Sequence, residues 1–230
     1  MAAVLQVAIV AYEGVLADES EAFRDVLTHI PGARVLTIGD EDGVVAGPGG
    51  AQLVETTFGE LDRAEVVVVP GGLGTHRHPE IGRWIRRCRP TWVLTSSTGS
   101  ALLAAAGLLR GRTAATHWLA GPLLERHGAT PSKKRLVVDL PFVSCAGLAS
   151  TFDCAYVVAR AVGGEPLVRA IRDRLRTEVS LRPDVVLPPA RPRRRPTVPR
   201  APVATLAASS RSVSSPTRSV EVELEPTRRR

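Results

Sequence analysis

The chain has 230 residues, 44% of them hydrophobic, enough for one domain with a sizeable core. Its formal charge of +7 is unevenly placed: residues 1–180 carry 19 Lys/Arg against 19 Asp/Glu, while residues 181–230 carry 11 Arg, 4 acids and half of the 18 prolines. The sequence thus divides into a neutral part, 1–180, and a Pro/Arg/Ser-rich tail, 181–230, expected to be disordered and to touch acidic partners or nucleic acid only nonspecifically.

In chain order, the apolar run over 5–11 predicts a first strand, and 20–29 a helix whose first turn is acidic at Asp18, Glu19 and Glu21. A second strand is expected over 34–39, followed by a hairpin excursion over 43–58 around Gly47-Pro48-Gly49-Gly50. The stretch 65–69, Glu65 followed by four consecutive valines, is of the kind a parallel sheet buries on both faces. A helix over 79–88 leads to a strand ending at Ser97. A short strand at 114–116, a helix over 119–127, a strand-like stretch over 136–144 around Pro141, and helices over 150–162 and 165–176 complete the pattern. Repeated strand-helix units imply an α/β fold: a three-layer, doubly wound, mostly parallel sheet of flavodoxin-like type with right-handed crossovers. Ligands bind such sheets beyond the carboxyl ends of their strands.

Cys88, Cys145 and Cys154 are odd in number and lack CxxC spacing, which argues against a disulfide framework or a zinc site and for a reducing compartment. They read as small buried apolar residues. The first ten residues lack a basic n-region and are too short to span a bilayer, so a cytoplasmic protein with no membrane contact is expected. Gly71-Gly72-Leu73-Gly74 lacks the P-loop lysine, and His76 and His78 have no partners at ligand spacing. No cofactor or metal is therefore expected, and these two histidines read as solvated loop residues.

The most informative stretch is Thr91-Trp92-Val93-Leu94-Thr95-Ser96-Ser97-Thr98-Gly99-Ser100, running into an Ala/Leu helix closed by Gly107. A β-branched strand turning sharply into a helix puts Ser97 at a corner. Its side chain there points outward, and the first helical amides favour developing anions. This is the logic of a nucleophile elbow, although strand-to-helix turns containing serine are common in any open α/β sheet.

Val69-Pro70-Gly71-Gly72-Leu73-Gly74, the elbow with Ala101-Leu102-Leu103-Ala104-Ala105-Ala106-Gly107-Leu108-Leu109, Arg112-Thr113-Ala114-Ala115-Thr116-His117-Trp118 and Ala146-Gly147-Leu148-Ala149-Ser150-Thr151-Phe152-Asp153 occur in this order. Over roughly residues 4–178 this set resembles the ThiJ/PfpI superfamily, of class I glutamine-amidotransferase-like type. The resemblance extends to its isonitrile hydratase branch and to the amidotransferase-like domains of AraC-type regulators. It implies an elbow nucleophile at position 97, where the family's cysteine is replaced by Ser97, and a partner acid after the first strand. Gapless counting matches that acid to Glu19; Asp18 remains an alternative, and Asp18 with Glu21 also fits a capping box. The resemblance further implies His117 near the elbow, oxyanion or ligand-binding donors at Gly71, Gly72 and Thr98, and a homodimer. Asp153 matches a family position, and Ser150 to Asp153 also has capping-box spacing.

A thiol starts at a pKa of about 8.5 and yields useful thiolate without a strong base. A serine hydroxyl needs a general base within hydrogen-bond reach, for which Glu19 and His117 are the candidates. Three readings follow. The first is a weak or inactive enzyme, a pseudoenzyme that keeps a small-molecule pocket. The second is an active hydratase or hydrolase using Ser97 with Glu19 and His117. The third is a ligand-sensing domain related to transcription regulation, although the tail shows no helical periodicity for reading DNA.

Overall fold

Val66, Val67, Val68 and Val69 are all fully buried, and their side chains alternate between two separate cores. A strand buried on both faces must lie mid-sheet with helices above and below it. The computed structural model describes residues 4–175 and 185–186 and has that architecture.

The elements are β1 (Leu5–Val10), α1 (Ala17–Leu27), β2 (Ala33–Gly39), β3 (Gly43–Gly47), β4 (Gly50–Val54), β5 (Thr56–Thr57), β6 (Val66–Val69), α2 (Pro79–Cys88), β7 (Trp92–Ser96), α3 (Gly99–Ala105), β8 (Thr113–Ala115), α4 (Gly121–Arg126), β9 (Thr130–Ser132), β10 (Leu136–Asp139), β11 (Phe142–Cys145), α5 (Thr151–Leu175) and β12 (Val185–Val186). The main sheet runs β12-β10-β11-β7-β6-β1-β2-β5, parallel throughout except for the antiparallel β10–β11 pair. On one face α1 and α5 pack Phe23, Val26, Leu27, Tyr156 and Val158 against Val66 and Val68. On the other, α2, α3 and α4 bring Ile81, Trp84, Leu102, Leu103 and Leu124 to Val67 and Val69. This is the expected mostly parallel, flavodoxin-like α/β sandwich.

The hairpin excursion is present as β3–β4, a ribbon separate from the main sheet. Gln52 donates to Ser20 Oγ at 2.8 Å and so ties the ribbon to α1. Three local readings are corrected. The strand-like stretch around Pro141 is two antiparallel strands, β10 and β11, because proline lacks the N–H that a continuous central strand would use. The helix expected over 119–127 begins as a 3-10 turn, Trp118–Ala120, before α4. Helix α1 starts at Ala17, with Leu16 at its N-cap and no side-chain cap, so the Asp18–Glu21 capping box does not form. The break between the two final helices falls at Gly164, whose backbone leaves the helical region inside α5. The tail expected to be disordered lies outside the described residues apart from β12, which pairs with β10. Among the described residues no helix is long and apolar enough to cross a membrane.

Candidate functional site

The loops after β1 and β6 are held together before any side chain is considered. Leu16 N–H donates to Gly71 O and Leu73 N–H to Gly14 O, both at 2.8 Å, and Val15 bridges to Gly72. The elbow after β7 meets this seam. Helix α3 can start so close to β6 only because residue 99 is glycine: a Cβ there would stand 2.3 Å from Val69 O.

Ser97 adopts φ 50°, a left-handed conformation uncommon for a residue with a side chain and costing on the order of 1 kcal/mol. Its backbone is fixed from several sides. Ser97 N–H donates to Cys145 O at 3.0 Å. Ser97 O accepts from Thr116 Oγ1 at 2.9 Å, Ser100 Oγ at 3.2 Å and His117 N–H at 3.2 Å. The expected corner is therefore present, but Ser97 at its tip is buried, 6% exposed, rather than turned out to solvent, because the Gly71 turn and Glu19 close over it.

Glu19, on the first turn of α1, is buried and turned toward the elbow. Its Oε2 accepts from Ser96 Oγ at 2.6 Å and from Gly71 N–H at 2.8 Å. A Cβ on Gly71 would lie 2.6 Å from Ser97 Cβ, 2.9 Å from Glu19 Oε2 and 3.1 Å from Ser97 Oγ, so the acid, the glycine and the elbow hydroxyl share one small space. Burial pushes the Glu19 carboxyl above its ordinary value; the Ser96 and Gly71 hydrogen bonds and the nearby His117 act in the opposite sense. Asp18, by contrast, is exposed and faces the β3–β4 turn, with its carboxylate about 3 Å from where a Gly49 Cβ would stand. The structure brings Glu19 to the elbow and leaves Asp18 outside.

Gly72 and Thr98 satisfy each other. Thr98 Oγ1 accepts from Gly72 N–H at 2.8 Å and donates to Gly72 O at 2.7 Å, so the Gly72 amide expected to serve an oxyanion is already engaged. His117 is half-buried, and its Nδ1 accepts from Leu119 N–H at 3.4 Å, capping the 3-10 turn. It lies near enough to Glu19 that its ring, when protonated, favours the ionised carboxyl. Two residues went unnoticed in the sequence. Ser96 is the hydroxyl on Glu19. Tyr12 is a buried phenol that donates to Pro70 O at 2.8 Å, its pKa raised by burial and by the Glu19 charge.

His78 is not a solvated loop residue: its Nδ1 pairs with Glu80 at 3.0 Å and its ring lies 4.8 Å from that of Tyr12. The Ser150–Asp153 capping box is absent, since Ser150 Oγ donates to Gly147 O instead. Asp153 is buried, 3.6 Å from Arg135, with Oδ1 unpartnered, and burial lifts its pKa to about 6. All three cysteines are buried, as expected. Among the described residues, a cavity of about 290 Å³ is lined by Tyr12, Glu13, Phe58 and His78, and one of about 280 Å³ by Thr75, Arg83, Arg86 and Leu102; Ser97 lines neither. Among the described residues, no three or more His, Cys, Asp or Glu side chains come together as metal ligands would.

The sequence model of the DJ-1/PfpI family matches residues 6–161. The isonitrile hydratase of Pseudomonas putida is 33% identical over 146 residues, covering 61% of this chain and 64% of that protein, so the chain spans under two thirds of this relative's length. A ThiJ/PfpI family protein from Pseudomonas syringae superposes with a TM-score of 0.72 at 22% identity, covering 90% of this chain and 84% of that one. An AraC family transcriptional regulator from Pseudomonas putida gives 0.67 at 18% identity, covering 74% of this chain and 98% of that one. DJ-1 from Schizosaccharomyces pombe gives 0.63 at 14%, covering 75% and 99%. At these identities the structural likenesses bear on the fold alone.

Proposed function

Because the chain belongs to the DJ-1/PfpI family, we propose that residues 1–180 form a small-molecule-binding domain resembling isonitrile hydratase, in which Ser97 supports little or no covalent turnover. One observation carries this reading: the groups that would activate a serine are already engaged. Glu19 Oε2 holds the Ser96 hydroxyl and the Gly71 amide, and His117 Nδ1 holds the Leu119 amide. The Gly72 amide is likewise taken by Thr98. A hydroxyl whose neighbouring acid and histidine already hold other donors, on Glu19 Oε2 and His117 Nδ1, is a poorer nucleophile, whereas a thiol at the same corner would need less help.

In this reading Glu19, Ser97 and His117 stand at the reacting end, the elbow, with Gly71, Gly72 and Thr98 beside them, and the ligand reaches it from a neighbouring cavity such as the one lined by Tyr12 and His78. The exposed Leu73, Trp118 and Leu119, on the loops that carry the glycine turn and His117, support the expectation of a homodimer, since exposed large apolar side chains favour self-association. The protein is taken to be cytoplasmic.

The second reading, an active hydratase using Ser97 as nucleophile with Glu19 as proton shuttle, draws on the retained elbow strain at Ser97 and on Glu19 lying beside it. A ligand-sensing role of the kind implied by the AraC-type resemblance is the binding reading placed in a larger assembly. The test is turnover of isonitriles, activated esters and α-oxoaldehydes by the native protein beside Ser97→Cys and Ser97→Ala. Activity only in Ser97→Cys supports the silent pocket. Native activity lost in Ser97→Ala supports the hydratase.

A further inference from the structure

We propose that Ser96 is the positioning residue of this site, holding the Glu19 carboxyl by Oε2 and withholding that oxygen from whatever group stands at position 97. The inference rests on the reading of Glu19 as the site acid and assigns to its neighbour a role that the resemblance does not imply.

Ser96 ends β7 and is fully buried, so its hydroxyl hydrogen must find an acceptor inside the protein. It finds Glu19 Oε2 at 2.6 Å, the short distance expected of a hydroxyl donating to a carboxylate. The oxygen it takes is the one that lies, like Ser97 Oγ, about 3 Å from where a Gly71 Cβ would stand. With Gly71 N–H also donating, two donors already converge on Oε2. A hydrogen bond from position 97 would be a third on one atom.

The same contact sets the charge at the elbow. Both donors stabilise the ionised carboxylate, opposing the burial that favours its acid form. The other titratable groups facing Glu19 are His117, after β8, whose charge favours the ionised form, and Tyr12, after β1, whose phenol stays protonated. Neither depends on Ser96. Removing the Ser96 hydroxyl therefore moves Glu19 toward its acid form. An acid there can donate to an anion at position 97; a carboxylate repels it.

The test uses Ser97→Cys in the full-length chain as a reporter, with iodoacetamide alkylation at position 97 followed against pH by peptide mass spectrometry. No substrate is involved. Adding Ser96→Ala is expected to lower the midpoint of thiol reactivity by about one pH unit, roughly tenfold more thiolate below the midpoint. With Glu19→Gln also present, the Ser96→Ala shift is expected to vanish. An unchanged or raised midpoint in Ser96→Ala overturns the proposal, as does a shift that persists with Glu19→Gln. Ser96→Thr keeps a hydroxyl and is expected to retain the parent midpoint; a midpoint matching that of Ser96→Ala overturns it. If Glu19→Gln alone leaves the Ser97→Cys midpoint unmoved, the site-acid reading itself fails. A Glu19 effect without a Ser96 effect removes only Ser96.

Discussion

The Ser96 hydroxyl donates to Glu19 Oε2 across 77 positions of the chain, joining the end of a central strand to the first turn of α1. This bond and the Gly71 amide compensate only in part for burying the carboxyl, whose folded pKa stays above its ordinary value. A carboxyl raised on folding contributes stability that is present below its unfolded pKa and lost as pH rises through the folded one. Glu19→Gln is therefore expected to raise the melting temperature at pH 7 to 8 by a few degrees, on the order of 1 kcal/mol. The gain should disappear below about pH 4. Thermal melts of both proteins across that range check it.

Ser97 sits at φ 50°. Glycine adopts this region without the Cβ penalty, so Ser97→Gly is expected to stabilise the fold slightly, by up to about 0.5 kcal/mol, the relieved strain less glycine's greater unfolded entropy. Urea unfolding midpoints measure it. A loss of stability would mean that the hydroxyl contributes more to packing at the corner than its strained backbone costs.

Gly99→Ala is expected to have the opposite effect. The added methyl would meet Val69 O at 2.3 Å and Pro70 O at 2.7 Å, both backbone atoms that cannot swing away. Helix α3 must retreat from β6, at a cost of about 2 kcal/mol or more. The same urea titration applies, and the loss should exceed that of Ala101→Gly on the same helix.

Asp153 is a second buried carboxyl, with Oδ1 unpartnered and Arg135 at 3.6 Å. Its folded pKa of about 6 is again raised, so the stability it contributes is present below about pH 4 and lost as pH rises through 6. Asp153→Asn should therefore stabilise the protein above pH 6 and match it below about pH 4. Differential scanning calorimetry at pH 4 and pH 8 separates the two regimes.

How far the sequence could be read varied with the range of the forces involved. The valine run reported both faces of the sheet because burial on two sides leaves no polar position in the strand. The elbow was legible for a similar local reason: a β-branched strand, a small corner and an Ala/Leu helix lie within one short window. Glu19 could be matched only by resemblance, and Asp18 stayed open beside it, because adjacent residues on a helix's first turn differ by a rotation that only tertiary contacts fix. Ser96 was invisible. A serine in a strand gives no sign that its partner lies 77 positions away. The failed capping boxes teach the same point, since spacing names a capping option while the packing of Leu16 against Gly71, or of Ser150 against Gly147, decides whether it is used. Proline did mark a change at residue 141 but could not say that the chain doubles back there.

Every hydrogen bond that fixes the backbone corner at residue 97 comes from elsewhere: Cys145, Thr116, Ser100 and His117 hold its amide and carbonyl, and none of them touches the side chain. The corner is thus a socket with an exchangeable tip. Oxygen, sulfur or hydrogen can be fitted at position 97 with the mounting unchanged, so what the fold presents to a ligand and what it does to that ligand are separately adjustable.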